Sequence, residues 1–132
     1  MTRRATCSCG QLQLTCRGEP VRISVCHCFS CQQRTGSAFG AQARFARDDV
    51  TVEGNSTPYT RVADSGNSAT FHFCPRCGST VYWEMAAVEG FLAVALGAFT
   101  DPSFPEPRVS VYEARRHPWV QVTPREPMER YD

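Results

Sequence analysis

Eight cysteines carry most of the chemistry this 132-residue sequence can do: Cys7, Cys9, Cys16, Cys26, Cys28, Cys31, Cys74 and Cys77. Cys7-Ser8-Cys9 and Cys26-His27-Cys28 set sulfurs one residue apart, where bridging to each other is strained. Thiolates one to three residues apart let a single turn aim several sulfurs at one point, as zinc requires, with about four ligands at roughly 2.3 Å. The spacing therefore predicts metal sites rather than a disulfide framework. A disulfide framework also needs an oxidising compartment, and nothing in the sequence points to export.

The cysteines fall into three clusters: Cys7-x-Cys9, Cys26-x-Cys28-x-x-Cys31, and Cys74-Pro75-Arg76-Cys77-Gly78. The last reads as a zinc-knuckle turn, with Pro75 pre-setting the bend and Gly78 letting backbone N–H groups approach the sulfur. A knuckle supplies two ligands and needs another pair, for which Cys7 and Cys9 are the natural donors. The resulting four-cysteine site cross-links the start of the chain to a turn about 65 residues later, which helps a small core. Cys26, Cys28 and Cys31 leave zinc one ligand short, and an open position marks a catalytic or substrate-binding zinc. The competing reading closes that site with His27, His72 or Cys16. Alternation puts Leu12, Leu14 and Cys16 on one strand face, so Cys16 reads as a small buried apolar residue. His27 lies between two ligands pointing the other way. His72 shares a strand face with Cys74, where it supports the first zinc from behind or packs nearby.

The elements that must position these sulfurs are short strands. Val21/Ile23/Val25, Phe39/Ala41/Ala43/Phe45, Phe71/Phe73, Val81/Trp83, Val109/Val111 and Val120/Val122 all alternate with period two. Phe91–Leu96 is a continuous apolar run, read as a central strand covered on both faces. No segment shows a sustained helical period, although a helical turn is open at Met85–Glu89. The fold class expected is mainly β, one domain of short antiparallel strands over residues 1–122 with a polar tail over 123–132, pinned by zinc. Turns are expected at Gly54–Pro58, Asp64–Ser68 and Asp101–Pro107. Small residues in Thr35-Gly36-Ser37-Ala38-Phe39-Gly40 allow a ligand to come close, or form a plain turn into the next strand.

Composition narrows the function. Apolar residues make up 42% and charged residues 20%, as in ordinary globular proteins. Fourteen Lys+Arg against thirteen Asp+Glu give a formal charge of +1, which argues against nucleic acid or an anionic membrane as partner. Met1-Thr2-Arg3-Arg4-Ala5 has basic residues but no apolar run behind them, so the expected location is the cytoplasm. Arg115-Arg116-His117-Pro118-Trp119, the densest basic stretch, reads as a solvated turn rather than an anion contact.

Taken together, Cys7-x-Cys9-Gly10, Cys26-His27-Cys28-Phe29-Ser30-Cys31-Gln32, Thr35-Gly36-Ser37-Ala38-Phe39, Asp64-Ser65-Gly66 and Phe73-Cys74-Pro75-Arg76-Cys77-Gly78 resemble the glutathione-dependent formaldehyde-activating enzyme family, also called the centromere-protein-V/Gfa domain family. The resemblance runs from about residue 5 to residue 120. It implies an Mss4-like β fold with two zinc ions, a structural one on Cys7, Cys9, Cys74 and Cys77 and a second on Cys26, Cys28 and Cys31. It also implies carbon–sulfur lyase chemistry joining formaldehyde to glutathione as S-hydroxymethylglutathione. Rival expectations are a zinc protein that binds or carries a glutathione adduct, and a zinc-stabilised interaction module. In the enzymatic reading a small-molecule thiol enters the open position as thiolate, and Arg34 or Arg61 offsets the added charge.

Overall fold

Alternating apolar residues at period two leave each strand one face to bury, and the chain answers with two sheets stacked over a shared core. The computed structural model describes residues Met1–Asp132. Strands β1 (Thr2–Thr6), β2 (Gln13–Arg17) and β5 (Val50–Glu53) form a three-stranded antiparallel sheet in the order β1-β2-β5. The second sheet has eight strands, built from β3 (Arg22–Cys26), β4 (Gly40–Ala46), β6 (Thr57–Val62), β7 (Ser68–Phe73), β8 (Thr80–Met85), β9 (Phe91–Ala95), β10 (Val109–Val111) and β11 (Glu129–Arg130). Its order is β11-β10-β3-β4-β9-β8-β7-β6. Most pairs are antiparallel, but β10 runs parallel to both β3 and β11, so the sheet is mixed.

The main core lies between the sheets. Leu14 and Cys16 from the small sheet, with Leu12 just before β2, meet Ile23, Phe45, Val81, Leu92 and Val94 from the large one, all nearly without solvent exposure. Each such side chain contributes about 1.5–3 kcal/mol of burial. The apolar run is β9, central between β4 and β8: Leu92 and Val94 face this core, while Ala93 faces a second cluster with Ala69, Phe71 and Trp83. That second cluster is the floor on which the candidate site stands.

Two expectations need correction. Phe29–Thr35 is an α-helix, α1, begun by Cys28 as its cap and ended by Gly36 with φ of 64°. Seven residues beside two metal-spaced cysteines are too few to show a helical period, so none was expected there. Val120 and Val122 lie in irregular chain instead of a strand, although Val120 is buried. At Met85–Glu89, where a helical turn was open, the chain makes a turn as it leaves β8. The last residues are largely exposed, yet Glu129–Arg130 pairs with β10, so this end is fastened to the sheet. No helix is long and apolar enough to cross a membrane.

Candidate functional site

Two turns bring the first four cysteines together. Cys7 and Cys9 follow β1 in a tight turn closed by Gly10 N–H to Cys7 O, 3.1 Å, and Cys7 N–H to Leu12 O, 3.0 Å. Cys74 and Cys77 lie in the turn between β7 and β8, closed by Gly78 N–H to Cys74 O at 2.8 Å, with Gly78 at φ 80°. Their four Sγ atoms lie within 4.8 Å of one another, with Cys7–Cys9 at 3.6 Å and Cys9–Cys74 at 3.7 Å. Sulfurs at the corners of a tetrahedron about 2.3 Å from a central zinc stand roughly 3.8 Å apart, so the spacing suits that ion. Donors converge on the sulfurs: Leu12 N–H on Cys7 at 3.3 Å, Arg76 N–H on Cys74 at 3.4 Å, and Gln11 Nε2 on Cys74 at 3.0 Å. Such donors stabilise thiolates. Cys77 is pulled down to about 5, first by the Ser79 hydroxyl and then by the Ser79 and Cys9 backbone.

Cys26, Cys28 and Cys31 meet where β3 ends and α1 begins. Cys26 is the last residue of β3, Cys28 caps α1, and Cys31 sits in its first turn, so one strand-to-helix junction aims three sulfurs at one point within 4.8 Å. Cys31 N–H donates to Cys28 Sγ at 3.3 Å. Hydrogen bonds from Cys26 and Cys31, then the Cys31 N–H and the charge of Arg61, hold the Cys28 thiol far below its ordinary value. Cys26 is pushed up by its bonds to Cys28 and Cys31 and by burial. This donor set too suits a thiophilic ion.

His27 points away from the sulfurs. It is fully buried, its Nε2 is 3.0 Å from Glu113 Oε2, and its ring lies 5.7 Å from that of Phe39. Gln32 Nε2 donates to His27 O at 2.8 Å and to Arg115 O at 3.3 Å, and His117 Nε2 lies 2.9 Å from Gln32 Oε1. The basic segment is therefore a brace on α1 and not simply a solvated turn, although Trp119 stays exposed. His72 does not reach the first cluster; it stacks on Tyr82 at 4.4 Å and lies 3.6 Å from Glu84. Cys16 is buried in the main core, apart from both clusters.

The three cysteines open onto a cavity of about 260 Å³ over the second apolar cluster, walled by Phe71, Trp83 and Tyr112. Arginines ring it. Arg34 lies over Trp83 at 4.3 Å, Arg61 over Phe71 at 5.0 Å, and Arg115 over Phe29 and Tyr112 while paired with Asp64. Tyr112 itself holds φ of 55°, an uncommon conformation for a residue with a Cβ. Arg22 and Arg44 also line the cavity, and sequence reading passed over them. They occupied the polar beats of alternating strands, and only the register shows that those beats face a cavity.

The family model described as glutathione-dependent formaldehyde-activating enzyme matches residues 2–115. Among solved structures, a crystal structure of a Rhodobacter sphaeroides protein is similar, with TM-score 0.58, 21% identity, 72% of this chain covered and 85% of that one. At that identity the likeness speaks for the fold. No curated protein matches the chain.

Proposed function

This chain belongs to the glutathione-dependent formaldehyde-activating enzyme family, and from that premise we propose a zinc-dependent carbon–sulfur lyase-type enzyme. It forms or cleaves the S-hydroxymethyl adduct of a glutathione-like thiol and a small aldehyde such as formaldehyde. The observation that carries the reading is the opening of a three-sulfur cluster onto an arginine-ringed cavity, with His27 turned away toward Glu113. Cys7, Cys9, Cys74 and Cys77 hold a structural zinc; Cys26, Cys28 and Cys31 hold a second, whose contribution when bound is to lower the pKa of an incoming thiol.

The protein's own groups do the rest. The α1 cap and its Gln32 brace hold Cys28 and Cys31 at fixed angles. Arg34 and Arg61 lie near enough to offset the charge of an added thiolate, their guanidinium planes held on Trp83 and Phe71. The same aromatic wall limits water around the reacting carbon. In the addition, the thiol proton leaves sulfur, the sulfur lone pair forms the C–S bond, and the C=O electron pair moves to oxygen. That oxygen then takes a proton, giving the hemithioacetal. Free cysteines and a thiol substrate suit a reducing compartment, and the proposed location is the cytoplasm.

A second reading, capture of a preformed adduct without catalysis, draws on one observation. Asp64, the one carboxylate lining the cavity, is tied to Arg115 and is a poor general base. Thiols also add to formaldehyde unaided, leaving a modest barrier to lower. Exchange NMR of glutathione and formaldehyde decides between them. Catalysis requires adduct turnover above the protein-free rate at substoichiometric protein, abolished in Cys28→Ser; saturation at one adduct per protein with no rate gain establishes the carrier.

A further inference from the structure

The cavity contains a second feature, a pair of like charges with no counter-charge. Arg22 on β3 and Arg44 on β4 are directly opposed in the antiparallel register and both line the cavity. Like charges directly opposite one another destabilise a sheet. Neither side chain makes an ion pair. The Nε atoms of both are buried without a hydrogen-bond partner, and so is one Nη of Arg61 across the cavity. Burial, and then the charge of Arg22, depresses the pKa of the Arg44 guanidinium, a cost the folded chain carries without return. The one carboxylate present, Asp64, is taken by Arg115. Buried donors are ordinarily satisfied, and arginine forks match planar carboxylates, so a carboxylate is the group that suits this opposed pair.

The register also fixes where the anion would sit. Cys26 faces Gly40, Ser24 faces Gln42, and Arg22 faces Arg44. Four residues at about 3.3 Å each separate the Arg22 and Cys26 backbones by roughly 13 Å along β3. That backbone span is on the scale of a small peptide, and Ser24 and Gln42 line the cavity between the two ends.

We propose that Arg22 and Arg44 bind a carboxylate at the far end of the thiol whose sulfur meets Cys26, Cys28 and Cys31. The cavity thus selects anionic, peptide-length thiols over small or neutral ones. This deepens the thiol reading above and rests on it. The test is calorimetric titration of the zinc-loaded protein with glutathione and with glutathione diethyl ester, in which both carboxylates are blocked. The wild type binds glutathione at least about tenfold more tightly than the ester, and Arg22→Gln/Arg44→Gln erases that preference while leaving ester affinity within about twofold. The single Arg44→Gln loses part of it. Ligand-free melting of the double variant does not fall, because a repulsive pair has been removed; a substantial fall identifies the pair as structural and overturns the assignment. Equal affinity of the wild type for acid and ester also overturns it while leaving the thiol reading intact. Binding of neither thiol removes both.

Discussion

The two cysteine clusters use the same ligand chemistry in opposite settings. The four-cysteine cluster is held by two turns and ringed by its own N–H groups and Gln11, so everything around it faces inward to the sulfurs. The three-cysteine cluster sits at a strand-to-helix junction with its back braced by His27, Gln32 and Glu113, and its front open to arginines and aromatic rings. One surrounding satisfies the metal site from within the chain; the other leaves positive charge unspent in front of it. Function follows from that difference in surroundings more than from the cysteines themselves.

The largest effect expected from breaking the comparison comes from removing one sulfur on each side. Cys74→Ser should cost the four-cysteine cluster its metal ion and remove one tie between the small sheet and the large one, which still share the main core. Its melting temperature should drop by at least about 10 °C, since structural zinc contributes folding free energy outright. Cys28→Ser should cost the three-cysteine cluster its metal ion with a drop of only a few degrees, because α1 and β3 are also held by the Gln32 and Glu113 contacts. Metal analysis and calorimetry on both variants check it, and equal destabilisation removes the structural-versus-open distinction. Next in size is Gln11→Ala. Its side chain donates to Cys74 Sγ and to Asn55 O, so zinc affinity at the four-cysteine cluster should fall about 10–100-fold in a chelator competition. The three-cysteine cluster should keep its affinity.

How much of this could be read from the chain follows from the range of each signal. The cysteine clusters, the period-two strands other than Val120/Val122, and the central apolar run are local patterns, and each appears where local chemistry placed it. The burial of Cys16 and the turn of His27 away from the sulfurs followed from the same alternation. What escaped was set by pairing across distance. Arg22 and Arg44 are separated by most of β3, α1 and β4, and nothing in either strand indicates that the other will lie opposite. The brace from Gln32 to His117 spans most of the chain. Helix α1 escaped for a different reason: its residues were claimed by metal spacing, and a cap at Cys28 looks the same in sequence as a ligand.

Two glycines sharpen the contrast at lower energy. Gly78, beside the four-cysteine cluster, has φ of 80° and open space where a Cβ would stand. Gly78→Ala therefore costs about 1–2 kcal/mol from the left-handed backbone alone, read as a lower melting temperature. Gly40, beside the three-cysteine cluster, has no such backbone demand, but a Cβ there meets Arg34 Nη2 at 2.8 Å and Cys31 Cβ at 3.4 Å. The far end of Arg34 can swing aside, so Gly40→Ala should change stability by less than about 1 kcal/mol. Thiol affinity should drop severalfold as Arg34 leaves its place over Trp83. If Gly40→Ala instead unfolds the chain with Arg34 undisturbed, this cluster is as structural as the other.

The smallest effect expected concerns the brace behind the open cluster. Burial disfavours the charge of Glu113, but the Ser110 hydroxyl at 2.8 Å, Arg130 at 2.9 Å and the nearby His27 outweigh it and hold the carboxyl below its ordinary value. A carboxyl lowered by folding contributes stability that is complete above its unfolded value of about 4.3 and is lost as pH falls through the folded one. Glu113→Gln removes that contribution at neutral pH, at a cost of order 1 kcal/mol. It should also flatten the acid side of the stability curve relative to wild type, while the two proteins run parallel above about pH 5. Because Glu113 touches β10, β11 and His27 but neither set of sulfurs, zinc content should stay at two per chain at neutral pH. A loss of the three-cysteine zinc alone would show that the brace, and not only the ligands, keeps the open site in shape.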